Sequence, residues 1–455
     1  MCGTKRVSSP VSVSVSLLLC ISMPGMMLLS GCAGSFAPAD PVENEQTPLG
    51  EIKGSAHGGN APIVNAQIYV LAAGAGGYAA ASASLIPTSK NGVNGVSCTG
   101  GVNGYCYTTT DQNGNFTVTA DYTCTQGQQV YLVAVGGDPG LDHNYDAGYP
   151  ADDPIFNSGI VQMAGLGQCP ASGTMAGVVS YVVINEITTV AFAYAMGGFG
   201  TDAFHIAGSG TAQSMTGIAN AMANANNIVG IAWGGALAQV PGNSNSVVPQ
   251  SKIISLADIV ATCVNTSSST SSTCSSLFGD AKNSAGTKPT DEATALFNIA
   301  HNPTNNVTAL WNLLPAQPVF TPTLSSAPTD WTLPVVYNSV TALPTGMAMD
   351  ASGNVWISDS TNKAVVRVAA QGAVTSFKNG GSFGAIAGVA VNPSTGKIWA
   401  SDSTNNKVYV LDPTSGTLLT TITGGTLNKP AGIAFDTSVN GFVVNSGAYS
   451  INEYN

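Results

Sequence analysis

The hydrophobic rhythm of the chain changes several times along its length. An apolar run from Val11 to Leu29, interrupted by Ser residues and Pro24, follows Lys5 and Arg6. From about Leu49 to Cys169 apolar and polar residues alternate. Ile63-Val64-Asn65-Ala66-Gln67-Ile68-Tyr69-Val70-Leu71 and Val130–Val135 have the period of two that predicts strands. Asn113-Gly114 falls between two such runs, Thr108–Thr110 and Asn115–Val118, and predicts a hairpin because both residues accept positive φ. From Ala171 to Leu314 the spacing becomes helical. Met175–Met196 is apolar and free of Pro, Met215–Gly230 repeats small apolar residues, and Ser255–Val264 and Asp291–His301 each open on a residue suited to a helix start. Met175–Met196 is long enough to span a bilayer, but Ser180, Asn185, Glu186, Thr188 and Thr189 within it favour a core helix. Glu186 is expected to be buried and hydrogen-bonded, a structural role preferred over proton handling. Five Pro residues between Pro315 and Pro334 predict an extended linker.

Past the linker the sequence repeats itself. Leu343-Pro344-Thr345-Gly346-Met347-Ala348-Met349-Asp350, continuing through Val355-Trp356-Ile357-Ser358-Asp359, is echoed by Ile386-Ala387-Gly388-Val389-Ala390-Val391-Asn392 and Ile398-Trp399-Ala400-Ser401-Asp402. A third copy begins at Lys429-Pro430-Ala431-Gly432. Gly346, Gly388 and Gly432 are 42 and 44 residues apart, the length of one propeller blade. Each full copy divides into four strands, in the first Gly346–Met349, Val355–Ser358, Ala364–Ala369 and Ala373–Lys378. The wording resembles NHL repeats, which implies β-propeller blades of binding proteins and of a few lyases and lactonases. The third copy reaches only the third strand of its blade, and three blades cannot close a ring. The expectation is a truncated gene product, with completion by another chain as the alternative.

Two further resemblances complete the layout. Ala61-Pro62-Ile63-Val64 before a strand, together with Asp111-Gln112-Asn113-Gly114-Asn115-Phe116, resembles the carboxypeptidase-regulatory-like domains. Membership implies a transthyretin-like β-sandwich acting as a spacer or ligand-binding module, although the insert from Ala72 to Cys106 departs from that pattern. Leu29-Ser30-Gly31-Cys32 behind the charged and apolar segments resembles a bacterial lipobox, which implies export, cleavage and diacylation of Cys32. Ala33, in place of Asp, favours the outer over the inner membrane by resemblance to enterobacterial sorting. The fold class is therefore multidomain and mainly β. It comprises a signal peptide (1–31), a flexible tether (32–48), a β-sandwich (49–170), a helical domain (171–314), a Pro-rich linker (315–338) and an incomplete propeller of about three blades (339–455).

Composition narrows the function. Only 8% of residues are charged and the net charge is -11, so hydroxyls and amides must keep the surface wet and nucleic acid is not an expected partner. With Cys2, Cys20 and Cys32 set aside, six of the nine cysteines remain: Cys98, Cys106, Cys124, Cys169, Cys263 and Cys274. An even number in an exported chain predicts disulfides. Cys263 and Cys274 bracket a Ser/Thr tract and are the first pair expected. Cys98 with Cys106 and Cys124 with Cys169 are the favoured remainder, although six cysteines allow about fifteen pairings.

The search for chemistry yields little. Gly380-Gly381-Ser382-Phe383-Gly384 matches Gly-x-Ser-x-Gly but lies between blades, outside any strand–turn–helix context. The four His residues are far apart, and Leu343–Asn455 contains none, so the acid/base His of streptogramin-lyase-like propellers has no counterpart there. Asp359, Asp402 and Asn445 follow the second strand of successive blades. They are expected to cap turns, with a lactonase-like divalent-cation site as the alternative. Asp138, Asp142 and Asp146 crowd one loop that could take Ca²⁺, though a solvated acidic loop is favoured. No cofactor beyond such a cation is implied. The leading expectation is a non-enzymatic, membrane-anchored lipoprotein that binds protein or glycan through its blades. A metal-dependent propeller hydrolase or lyase is the rival.

Overall fold

The computed structural model describes residues 51–119, 122–140, 156–175, 177–338 and 341–455. Cys32, the signal and tether segments, Asp142 and Asp146 lie outside them. The first sheet is centred on β1 (Ile52–Gly58), which pairs with β2 (Ala61–Pro62). The second contains β3 (Gln67–Ala72), with β4 (Ala83–Ser84) and β5 (Thr108–Thr109) along it. β6 (Asn115–Val118) returns to β1, while β7 (Gln129–Val135) and β8 (Val161–Gln168) extend the second sheet in the order β4-β3-β7-β8.

Thr108–Val118 is thus not the paired hairpin expected from Asn113-Gly114. β5 pairs with β3 and β6 with β1, so the turn carries the chain from one sheet to the other. Asp111 still shapes it, its Oδ1 accepting from the Asn113 and Asn115 N–H groups at 2.8 Å. A local turn signal fixes the bend, whereas burial chooses the partner strand.

Met175–Met196 is likewise divided. Val182–Ile184 forms β9, parallel to β1 in register Gly54↔Val182, so the first sheet extends past the boundary expected at residue 170. A Cβ on Gly54 would lie 2.1 Å from the Val182 carbonyl oxygen, so only glycine admits the strand. Helix α1 (Glu186–Met196) starts on Asn185, whose Oδ1 accepts the Thr188 N–H while Thr188 Oγ1 accepts that of Asn185. Two of the polar residues read as interruptions of a helix are its capping box.

The ribbon β10 (Gly200–Asp202) and β11 (His205–Ile206) leads to α2 (Ala212–Ile228), and a second ribbon joins β12 (Val229–Gly230) to β13 (Gly235–Ala236). After β14 (Ser246–Val247) comes α3 (Gln250–Val264), starting five residues before the expected Ser255. Ser255 is interior to it, with its hydroxyl donating to the Ser251 carbonyl and accepting from Leu324 N–H. α4 (Ser272–Asp280), α5 (Glu292–His301) with Asp291 as its cap, and the short α6 (Val307–Trp311) complete the helices. The Pro-rich segment is not free. Asp258 accepts from Val319 and Phe320 N–H, Trp331 is buried, and β15 (Val336–Tyr337) pairs with β14.

The β3-β7-β8 sheet is buried on both faces, which explains why helices and sandwich are not separate. Ile68, Val70, Leu132 and Ala164 point into the core shared with the first sheet, while Tyr69, Leu71, Tyr131, Val133 and Met163 point into a core shared with the helices. Among the described residues no helix is long and apolar enough to cross a membrane.

Three sheets follow in chain order. The first contains β16 (Pro344–Met349), β17 (Val355–Asp359), β18 (Ala364–Val368) and β19 (Val374–Phe377), and the second contains β20 (Ile386–Val391), β21 (Ile398–Asp402), β22 (Lys407–Leu411) and β23 (Leu418–Ile422). The third contains β24 (Pro430–Phe435), β25 (Gly441–Asn445) and β26 (Ser450–Tyr454). Successive sheets touch through β16, β20 and β24 as propeller blades do. A Cβ on Gly388 would meet the Ala431 carbonyl oxygen at 2.2 Å, so this glycine sets the distance between the second and third blades.

All three favoured disulfides form: Cys98–Cys106, Cys124–Cys169 and Cys263–Cys274. Their loop separations of 8, 45 and 11 residues rank their effects on the unfolded chain. Replacing Cys124 and Cys169 with Ser should cost about 4 kcal/mol, and replacing Cys98 and Cys106 about 2.5 kcal/mol. Urea unfolding of the two double variants checks the order.

Candidate functional site

The second strand of each blade ends on a buried polar residue, Asp359, Asp402 or Asn445. Asp359 accepts from Ala342 N–H at 2.7 Å, Leu343 N–H at 3.2 Å, Asn362 N–H at 3.1 Å and Asn362 Nδ2 at 2.8 Å. Burial opposes its charge, but the bonds from Asn362, Ala342 and Leu343 outweigh burial and hold the carboxyl below its ordinary value. Asp402 has the same arrangement, accepting from Gly384, Thr404 and Asn405 N–H and from Asn405 Nδ2. Asn445 accepts from Asn428 N–H and donates to Ser450 and Asn452. Asp359 and Asp402 latch the entry to their blade onto the turn after its second strand, and Asn445 latches it onto the third strand. A cation here would face N–H donors, and among the described residues no group of three or more His, Cys, Asp or Glu could hold a metal.

The Gly-x-Ser-x-Gly segment belongs to the same latch. Gly384 N–H donates to Asp402 Oδ2 at 2.6 Å, and a Cβ there would lie 2.5 Å from Oδ1. The segment is the loop that supplies the donor. Asp138 pairs through its backbone with Val64, and its Oδ1 accepts the Gly140 N–H.

Folding assembles two acidic clusters from segments distant in the chain. The first is buried: Glu186, Glu292 and Gln162 are fully enclosed where α1, α5 and β8 meet. Glu186 Oε1 accepts the Gly59 N–H at 2.8 Å, its Oε2 has no partner among the described residues, and Glu292 faces the Gln162 amide and the Val161 backbone. Burial pushes the Glu186 carboxyl up to about 8 against the opposing pull of backbone N–H bonds, with the Asp258 charge adding to the rise. Burial and the charges of Glu186 and Asp291 raise Glu292 as well.

The second lines an open cleft of about 580 Å³, bounded by Phe156, Phe204, Asp202, His205 and Asp291. His205 Nδ1 is 2.8 and 2.9 Å from the two Asp202 oxygens, so Asp202 orients the ring with Nδ1–H toward itself. Such a dyad could act as a base. The hydroxyls around it are committed elsewhere, Ser158 to Ser269 and both Thr290 and Thr294 to Asp291. A dyad that short in sequence, Asp-x-x-His, could have been singled out. Its position at a cleft could not.

No protein-family model matches the chain, and no curated protein matches it. Among solved structures, the virginiamycin B lyase of Staphylococcus aureus is 21% identical over 24% of this chain and 40% of its own, with a TM-score of 0.22. A streptogramin B lyase is 18% identical over 25% of this chain and 40% of its own, with a TM-score of 0.20. A proposed gluconolactonase is 21% identical over 28% of this chain and 44% of its own, with a TM-score of 0.21. These neighbours are NHL- and SMP-30-like β-propellers matched over part of their length, and the chain spans less than half of each.

Two outcomes follow from these environments. Asp402→Ala leaves four donors facing a void and should lower stability by about 2–4 kcal/mol, while EDTA leaves the wild-type thermal midpoint unchanged. Glu186 has a native-state pKa above its ordinary 4.5, so its stabilising contribution is complete below that pH and lost as pH rises toward about 8. Urea midpoints measured across that window should fall with pH, and Glu186→Gln should flatten the fall, with Glu292 retaining part of it.

Proposed function

We propose that the protein is an exported lipoprotein, anchored through Cys32 to the cell envelope, that works by binding rather than by catalysis. The three disulfides agree with an oxidising compartment. The lipobox-like Leu29-Ser30-Gly31-Cys32 supplies the anchor. In this reading residues 49–170 are the carboxypeptidase-regulatory-like spacer, and the blades are the NHL-type interaction module for protein or glycan. The envelope membrane is the outer one.

The observation that carries the binding reading is the state of the blade carboxylates. Asp359 and Asp402, the groups a lactonase-like centre would need, are each filled by four N–H donors. Meanwhile the stack presents apolar side chains at both ends. Met347 and Met349 on the first blade and Val444 and Ile451 on the last are exposed, a surface suited to association.

Anchoring is tested by intact mass and membrane partitioning after expression in a lipoprotein-processing host. Wild-type protein should begin at an acylated Cys32 and sediment with membranes, and Cys32→Ala should be released. An unacylated wild-type chain overturns the anchor. Lactone or ester turnover abolished both by EDTA and by Asp402→Ala would instead establish the hydrolase.

A further inference from the structure

We propose that the pocket beside Trp233 binds a neutral carbohydrate. The inference rests on the reading of the protein as a binding module and adds a ligand class and a site away from the blades.

The β12–β13 ribbon displays the ring. Gly230 pairs with Gly235, and a Cβ on them would lie 2.1 Å from Trp233 Nε1 and 1.7 Å from Cζ3 respectively. The indole therefore lies flat on two glycines, with no side chain between ring and backbone. The backing is held in place because Asn185 Nδ2 donates to the Gly234 carbonyl at 2.8 Å, joining the loop to the cap of α1. Yet Trp233 is 61% exposed, so the face turned away from the ribbon is open. A rigid, uncovered indole offers the electron-rich face that stacks against the C–H side of a sugar ring.

The adjoining cavity of about 490 Å³ has the size of a small-ligand site. His57, Asn60, Gln250 and Thr321 supply its polar atoms, and Phe320 is part of its apolar wall. The Gln250 amide nitrogen donates to the Ala236 carbonyl at 2.7 Å, leaving its oxygen as an acceptor. His57, Asn60 and Thr321 make no side-chain hydrogen bond among the described residues. The lining contains no Asp, Glu, Lys or Arg. Burial pushes the His57 imidazole below its ordinary value, so it too is neutral at neutral pH. An ionic ligand would lose its hydration without gaining a counter-charge. A ligand with an apolar ring face and several hydroxyls satisfies both the indole and the free amide and imidazole groups.

Isothermal titration of the full chain with cellotriose, maltotriose and chitotriose, against an oligogalacturonate as the charged control, tests the assignment. At least one neutral trisaccharide should bind and the charged one should not. Trp233→Ala should weaken that binding about tenfold or more, the worth of one aromatic contact. Gly235→Ala keeps the indole but displaces it from the ribbon and should weaken binding too, and circular dichroism verifies the fold of both variants. Absence of binding to any of the three sugars, or affinity unchanged in correctly folded Trp233→Ala, overturns the site. Either failure leaves the anchor untouched, because acylation at Cys32 is read independently.

Discussion

The sheet β3-β7-β8 must be covered on both faces, and most of the molecule follows from that requirement. Alternate residues serve different cores: Ile68, Val70 and Leu132 toward the first sheet, Tyr69, Tyr131 and Val133 toward the helices. A period of two thus becomes a nearly continuous apolar run, the pattern of a strand buried on both sides. α1 is apolar nearly all round because β8, α2, α3 and α5 surround it. The same enclosure takes Glu186 and Glu292 out of water and raises both carboxyls above their ordinary values.

The blades meet a different demand, since each sheet needs its neighbour at a fixed distance and its entry held to its own turn. Gly388 sets the first between the second and third blades, Asp402 the second, and Asp359 repeats the Asp402 latch in the first blade. Conserving charge at Asp359 and Asp402 in such a repeat is therefore a matter of construction. A carboxylate accepts more N–H groups than a neutral side chain. Function on this scaffold falls to surfaces that the construction leaves uncommitted.

Sequence was most informative where structure is local. The blade strands, the disulfide between Cys263 and Cys274, the turn at Asp111–Asn115 and the cap at Asp291 depend on residues close in the chain, and their signals were visible there. It misled where distant segments decide. Val182–Ile184 is a strand only because β1 offers an edge lined by Gly54, and the Pro-rich segment is ordered because Asp258 and Ser255 supply acceptors for its N–H groups. The His205–Asp202 dyad and the exposed Trp233 are short-range patterns that became meaningful only when folding placed them at cavities.

The parallel pairing of β1 with β9 also governs the order of events when the chain first folds. Gly59 and Glu186, joined by a hydrogen bond across this region, are 127 residues apart in sequence. β1 is therefore synthesised long before its partner, with an open edge and an uncovered apolar face. Contacts of such separation form slowly because loop closure precedes any gain from pairing. During that interval the emerging segment is a surface for misassociation, exposed until β9 and α1 arrive to cover it.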